Sequence, residues 1–432
     1  MSEEQQPDQR SNTVTPVAEG GFLTVVNLSA VTFLVLLGLS MVAPILPAYA
    51  ESFDVSYTLV GFVISSFALT RVFVDIPAGL LSRRHDKKII MISGLVLLST
   101  SSVLAGLATD YFVLVIARMI EGAGSALYVT SATVFLAQIS GEEKRGQWMS
   151  LYMGLLLLGS IFGPTFGGFI ADAFDISAPF FAYAIVAGLA IIPTLVLPSI
   201  PNSANGSASM SARSVLKDMR TVITHPSFIF AIVATFTLFF ARTGVRNTLV
   251  PLFSGNNLGL DSGGIGWILT LAAISTAFTI TPMGGVSDRI GRRIPLVLCL
   301  FLTAVVTVLI PFSDNVTTLT LYMIVYGAVI GLSGPMAAYV TDVSPQDKLE
   351  ISMGLYRVFS DIGYVIGPLL LGYLADLTAT PVVGETHSGL IGLVPFAVAS
   401  IILFVSGFIL LRGRDPVRDR RASREEDVQE LQ

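Results

Sequence analysis

Charge is scarce in this chain. Lys, Arg, Asp and Glu make up 13% of its 432 residues, against about 25% in a soluble globular domain, while 53% of the residues are hydrophobic. That balance excludes a water-soluble fold, and the apolar content excludes an intrinsically disordered chain. Cysteine is nearly missing as well. Cys299 stands alone, so no internal disulfide is available. The three histidines, His85, His225 and His387, fall in polar connections, which leaves no zinc constellation and no imidazole relay inside an apolar segment. No G-x-x-x-x-G-K-[ST] loop, H-E-x-x-H pair or nucleophile elbow occurs. The sequence is therefore read as no enzyme, with no cofactor, no metal and no nucleic-acid partner.

What it has instead is long apolar runs. A bilayer core about 30 Å thick needs about 20 apolar residues per helix. Runs bounded by charge, Gly or Pro predict helices over 22–48, 57–81, 88–108, 111–138, 147–171 and 178–199. Six more are predicted over 227–252, 263–287, 293–312, 317–341, 351–375 and 388–411. Ala48-Tyr49-Ala50 faintly resembles a signal-peptidase site, but its leader is acidic and its apolar run too long, so an uncleaved span is expected. The fold class is all-α integral membrane, with lipid as its solvent.

The 25 Lys and Arg sort sharply on this map. Twenty lie in the tails and the even-to-odd connections, and five lie inside spans: Arg71, Arg118, Arg242, Arg246 and Arg357. The opposite connections carry only acids, among them Glu51, Asp54, Asp110, Asp172, Asp175, Asp261, Asp314, Asp376 and Glu385. Positive charge stays inside, so both termini and the 200–226 connection are expected to be cytoplasmic, in a cell membrane. The six Arg between Arg412 and Arg424 are read as a solvated anchor at anionic lipid.

The chain also repeats itself. Residues 200–226, rich in Ser, Asn and Gly and without an apolar period, divide six spans from six. The domains expected are a tail over 1–21, bundles over 22–199 and 227–411 joined by that linker, and a tail over 412–432. Moving the second half back by 205 residues lays Gly266, Pro282, Gly284, Arg289, Arg292 and Arg293 on Gly61, Pro77, Gly79, Arg84, Lys87 and Lys88. A shift of 204 lays Gly363, Gly367, Pro368, Gly372 and Asp376 on Gly159, Gly163, Pro164, Gly168 and Asp172. Halves with an even number of spans keep one orientation, so these are parallel repeats about an axis along the membrane normal, able to rock around a shared midplane site. That mechanism is transport of a small molecule.

The run Gly284-Gly285-Val286-Ser287-Asp288-Arg289-Ile290-Gly291-Arg292-Arg293 resembles the G-x-L-A-D-R-x-G-R-R signature of the major facilitator superfamily. The resemblance extends over all twelve spans. It implies a cytoplasmic latch between the halves carried by Gly284, Asp288, Arg289, Gly291, Arg292 and Arg293. The first-half copy, Gly79 to Lys88, departs from the pattern: Arg83 stands where the signature has its acid, beside Arg84, and Asp86 stands where it has Gly. Asp75 is a candidate substitute for the missing carboxylate. Arg118, Gly122 and Gly124 are similar to the family's R-x-x-x-G-x-G pattern, with Glu121 as an addition. Gly159, Gly163, Pro164, Gly167 and Gly168 match the later part of the pattern of its antiporter branch, although Ser150 replaces the first Gly. The resemblance implies drug efflux. The second-half copy at Gly363, Gly367, Pro368 and Gly372 leaves open that such a bend is purely architectural.

An ionisable group in hydrocarbon is a functional candidate until a partner neutralises it. Asp75 follows Arg71 by four residues, Glu121 follows Arg118 by three, and Asp361 follows Arg357 by four, so each acid shares a helix face with a base. These are either three structural pairs or proton carriers whose hydration changes as the halves rock. Depth ranks Glu121 first and Asp361 second, with Asp75 nearer the cytoplasmic end. Arg242 and Arg246 have no acid within a turn. Arg246 is expected to snorkel outward, and Arg242 to meet an acid of the other half or an anionic substrate. Phe236, Phe239 and Phe240 either line a pocket or face lipid. The expectation is a secondary carrier, functional as a single chain, exchanging protons for small amphipathic compounds. Uptake or exchange of an organic anion, and a receptor or sensor on the same scaffold, are the alternatives.

Overall fold

A computed structural model describes residues 21–140, 145–199, 212–381 and 389–418. Among the described residues are twelve helices long and apolar enough to cross a membrane: spans 1 to 6 are Gly21–Val42, Tyr57–Ser82, Lys87–Gly106, Tyr111–Ile139, Gly146–Ala173 and Ala178–Val196. Spans 7 to 12 are Pro226–Leu258, Ser262–Ile290, Arg293–Phe312, Val316–Val343, Ile351–Thr378 and Leu393–Arg418. In lipid a spanning helix satisfies its own backbone groups, and polar side chains satisfy the ends. Asp110 accepts from the N–H groups of Phe112 and Val113, Asp261 from Gly264, and Asn315 from Thr318, each as an N-cap. Acids that sort with the non-basic connections thus also start helices. Because the sidedness rests on charge alone, the two faces are termed here the basic end and the acidic end.

Four local departures from the sequence expectation have physical causes. Span 1 stops at Val42, and a turn leads into a short helix at Leu46–Glu51, because Pro44 and Pro47 cannot donate backbone hydrogen bonds. Span 10 breaks between Gly331 and Met336 beside Pro335. The stretch before span 12 is extended, with Gly389–Leu390 pairing antiparallel to Thr380–Pro381, so helix 12 begins at Leu393 and not at 388. Within the 200–226 connection, Ala212–Ile223 forms a helix where no period was read. Its Val222 is buried and its Asp218 lies 3.1 Å from Lys348 Nζ, so that part of the linker is docked on the second half. The remaining expectations for the N-terminal tail up to residue 20, for 200–211, for Lys144, Glu385 and His387, and for the basic tail beyond 418 lie outside the described residues.

Candidate functional site

The two halves meet along two helix pairs, spans 2 with 11 and spans 5 with 8. Near the acidic end these contacts repeat in the register of the internal duplication. A Cβ on Gly61 would fall on the Pro368 carbonyl, and one on Gly266 would fall on the Pro164 carbonyl. Ser65 Oγ donates to the Val365 carbonyl at 2.6 Å, as Thr270 Oγ1 donates to that of Ile161 at 3.0 Å. Asp376, at the end of span 11, accepts from the N–H groups of Tyr57 and Thr58 at 2.7 and 2.8 Å and from the Thr58 hydroxyl. Asp172, at the end of span 5, accepts from the Gly263 N–H at 2.7 Å. Gly372 abuts Tyr57 and Gly168 abuts Ser262. Small residues allow this backbone proximity. The rest of the glycine motif serves each half internally: Gly159, Gly163 and Gly167 press on span 1, and Gly363 and Gly367 press on span 7. Towards the basic end, by contrast, a methyl group on Gly154, Gly284, Gly285 or Gly354 would meet open space.

Deeper in the 2–11 pair the charges regroup. Arg71 Nη2 lies 3.8 Å from Asp75 and 3.9 Å from Asp361, while Arg357 Nε lies 3.8 Å from Asp75. Asp361 therefore faces Arg71 of the other half and not Arg357 of its own helix. The sequence pairing is corrected here, because the packing of span 11 on span 2 brings a closer partner than the helical spacing does. Asp75 also accepts from Thr130 Oγ1 at 3.3 Å. Two of these contacts cross between the halves, so Asp75 does reach the opposite bundle.

Between the halves lies a cavity of about 300 Å³ whose lining includes Ile64, Phe67, Arg71 and Arg118 of the first half and Thr243, Asn247 and Tyr364 of the second. The Arg118 guanidinium lies over the Phe67 ring, 4.9 Å from its centroid, and pairs with Glu121 behind it. Cation–π contact of this kind holds a guanidinium in place. Glu121 is 1% exposed and does not line the cavity; one carboxylate oxygen meets Arg118 and the other, Oε1, has no hydrogen-bond partner. Phe67, Tyr364, Thr243 and Asn247 escaped the sequence reading. Asn247, a polar side chain amid an apolar run, offered the one usable hint.

The second-half signature folds back on its own bundle. Arg292 meets Asp288 at 3.3 Å and Asp342 of span 10 at 3.1 Å, and the Arg292 and Arg293 N–H groups donate to Asp415 at 3.3 and 3.1 Å. Gly291 adopts φ +98°, and a Cβ there would strike Asp415. Arg293 also donates to the Leu411 and Gly413 carbonyls. The expected latch between halves is thus, for Arg292 and Arg293, a clamp on spans 10 and 12. Asp288 and Arg289 are exposed, and Gly284 faces open space. Gly79 belongs to span 2, whereas the side chains of Arg83 and Arg84 lie outside the described residues.

Span 7 is wound as a π-helix from Ala241 to Leu249. Arg246 does not snorkel outward: its Nη2 donates to the Leu269 carbonyl of span 8 at 3.3 Å, because the wider turn aims it at that neighbour. Arg242 borders a second cavity of about 160 Å³ with Leu238, Phe239, Ile280, Met336 and Tyr356. Phe239 stands with Tyr364 at 5.3 Å and Tyr356 at 6.5 Å between ring centroids. It is thus a pocket wall, while Phe236 stacks on buried Phe240.

Twin six-span bundles around a shared cavity define a membrane transport protein. The Major Facilitator Superfamily model matches residues 28–261 and 232–431, and the chain belongs to that family. It is 25% identical over 351 residues to Multidrug resistance protein 2 of Bacillus subtilis, covering 80% of this chain and 87% of that protein. It is 24% identical over 347 residues to Quinolone resistance protein NorA of Staphylococcus aureus, covering 80% and 88%. The crystal structure of the nucleoside transporter NupG superposes with a TM-score of 0.73 at 15% identity, over 90% of this chain and 100% of that one.

Proposed function

We propose that this transporter exports small amphipathic compounds from the cell in exchange for protons, by alternating access of the central cavity. The basic end and both termini face the cytoplasm in this reading, which the distribution of Lys and Arg supports. The helices touch across the halves at the acidic end while Gly154, Gly284, Gly285 and Gly354 towards the basic end face open space, an arrangement that suits an inward-facing carrier. The multidrug and quinolone resistance relatives support drug-like cargo.

The observation that carries the proposal is the Arg118–Glu121 pair beside the cavity, with one buried carboxylate oxygen unpartnered. A buried carboxylate oxygen without a partner costs about 1–3 kcal/mol, and a proton on it removes the buried charge that desolvation penalises. Arg118 remains charged and faces the cavity, so cargo or rocking that draws it from Glu121 favours proton uptake, and its return favours release. Asp361 and Asp75, tied to Arg71 and Arg357, respond to the same movement as the halves separate, with Asp361 the second proton site and Asp75 the lock. In this reading the basic-end gate is carried by Gly79, Arg83, Arg84, Gly284, Asp288 and Arg289, while Gly291, Arg292 and Arg293 brace it from behind through their clamp on spans 10 and 12. A single chain suffices.

The test uses proteoliposomes and a fluoroquinolone. Glu121→Gln is expected to abolish uphill movement driven by a proton gradient while counterflow exchange persists. Undiminished uphill movement by that variant removes Glu121 from the mechanism.

A further inference from the structure

Charge in the interiors of the spans does not balance. Five guanidinium groups, Arg71, Arg118, Arg242, Arg246 and Arg357, face three carboxylates, Asp75, Glu121 and Asp361. The pairs take up Arg71, Arg118 and Arg357. Two positive groups remain, both on the π-helical stretch of span 7. In an α-helix residues four apart share a face; the π-helix brings residues five apart together, as the Thr248 hydroxyl shows by donating to the Thr243 carbonyl at 2.9 Å. Arg246 is engaged by the span 8 backbone, but Arg242 has no carboxylate partner among the described residues and borders the 160 Å³ cavity.

Apart from Ser333, the rest of that cavity is apolar and aromatic. Leu238, Ile280 and Met336 provide hydrocarbon, and Phe239 with Tyr356 provides ring faces. Phe239 also packs on Tyr364, which lines the central cavity, so the two chambers share an aromatic wall. A planar guanidinium in a low-dielectric pocket binds a carboxylate through two parallel hydrogen bonds. A cation within a span without a carboxylate partner is costly, and an anionic ligand in the cavity it borders would offset that cost. We infer that the Arg242 pocket is a headgroup site for amphipathic organic anions, an aromatic or aliphatic body lying against Phe239 and Tyr356 and a carboxylate on Arg242.

This inference rests on the carrier reading for its purpose but is tested without transport. Thermal stabilisation of the purified chain in detergent is measured with 1-naphthoate, its neutral amide 1-naphthamide, and the cation 1-naphthylmethylammonium. Only the naphthoate is expected to stabilise. Arg242→Gln strands no carboxylate, so a folded protein is expected, with naphthoate affinity lowered at least tenfold; Arg242→Lys is expected to recover part of it. Ala337→Phe, which fills the pocket and leaves the charge, is expected to abolish the shift as well. Equal stabilisation by the amide or the ammonium, no shift from naphthoate, or an unchanged shift in Arg242→Gln overturns the assignment. Loss of proton-driven fluoroquinolone movement with naphthoate selectivity intact strikes the carrier reading alone, and the reverse strikes the headgroup site alone.

Discussion

The 2–11 and 5–8 interfaces begin alike and end differently. At the acidic end each has a glycine under a proline carbonyl, a hydroxyl on the opposite backbone, and an aspartate on the opposite helix start. Moving inward by the duplication register, Arg71, Asp75, Arg357 and Asp361 of the 2–11 pair correspond to Thr276, Ile280, Met153 and Leu157 of the 5–8 pair. One interface carries an ionic cluster where the other is almost wholly apolar. The shared part is a matter of backbone fit, which a duplicated fold requires on both sides of its axis. The unshared part sits where charge is expensive, so it marks the side on which the halves are coupled electrostatically.

The comparison breaks most severely at the glycines. Gly61→Val and Gly266→Val each drive side-chain atoms into a backbone carbonyl that has no room to retreat, and both are expected to cost several kcal/mol and most of the folded yield, read by size-exclusion profile and thermal unfolding. Matching losses support the pseudosymmetry; tolerance of either one denies it. The aspartate caps come next. Asp376→Ala removes an acceptor for three donors and is expected to cost about 1.5–3 kcal/mol. Asp172→Ala removes an acceptor for one donor on an exposed side chain and should cost clearly less. Spin-label distances across the acidic end should broaden for the first variant more than for the second.

The ionic cluster gives the smallest effect on stability. Its contacts are 3.8 to 3.9 Å long and Arg357 is 43% exposed, so Asp75→Asn is expected to cost on the order of 1 kcal/mol. Its consequence should appear in coupling: uphill transport falls about tenfold, and exchanging the charges as Asp75→Arg with Arg357→Asp restores part of it. Met153→Leu, at the counterpart of Arg357, is expected to leave the ratio of uphill transport to exchange unaltered. An equal fall in that variant would erase the distinction between the interfaces.

Much of this was legible before any coordinates. Twelve apolar runs, the charge sorting and the 204–205 residue repeat depend on local chemistry that lipid enforces: every backbone group must be satisfied within its helix, and every charge kept at a face or explained. The site was legible only in its reagents. Arg118 with Glu121 follows from a spacing of three on one helix, and the pair is found. The same argument gave Arg357 to Asp361 and failed, because it compares positions on one helix and is blind to a neighbouring one. It also sent Arg246 outward, having no means of seeing a π turn, and read no period in a linker whose Ala212–Ile223 segment is helical.

Composition and periodicity alone settled that the chain crosses a bilayer twelve times as two related halves, since those properties follow from transfer of residues between water and hydrocarbon. Which carboxylate answers which guanidinium, which glycine touches the opposite half, and where a lone arginine borders a pocket were decided only when the helices packed. Such contacts vary over a few ångströms and join residues hundreds of positions apart, a distance over which linear spacing carries no geometric information.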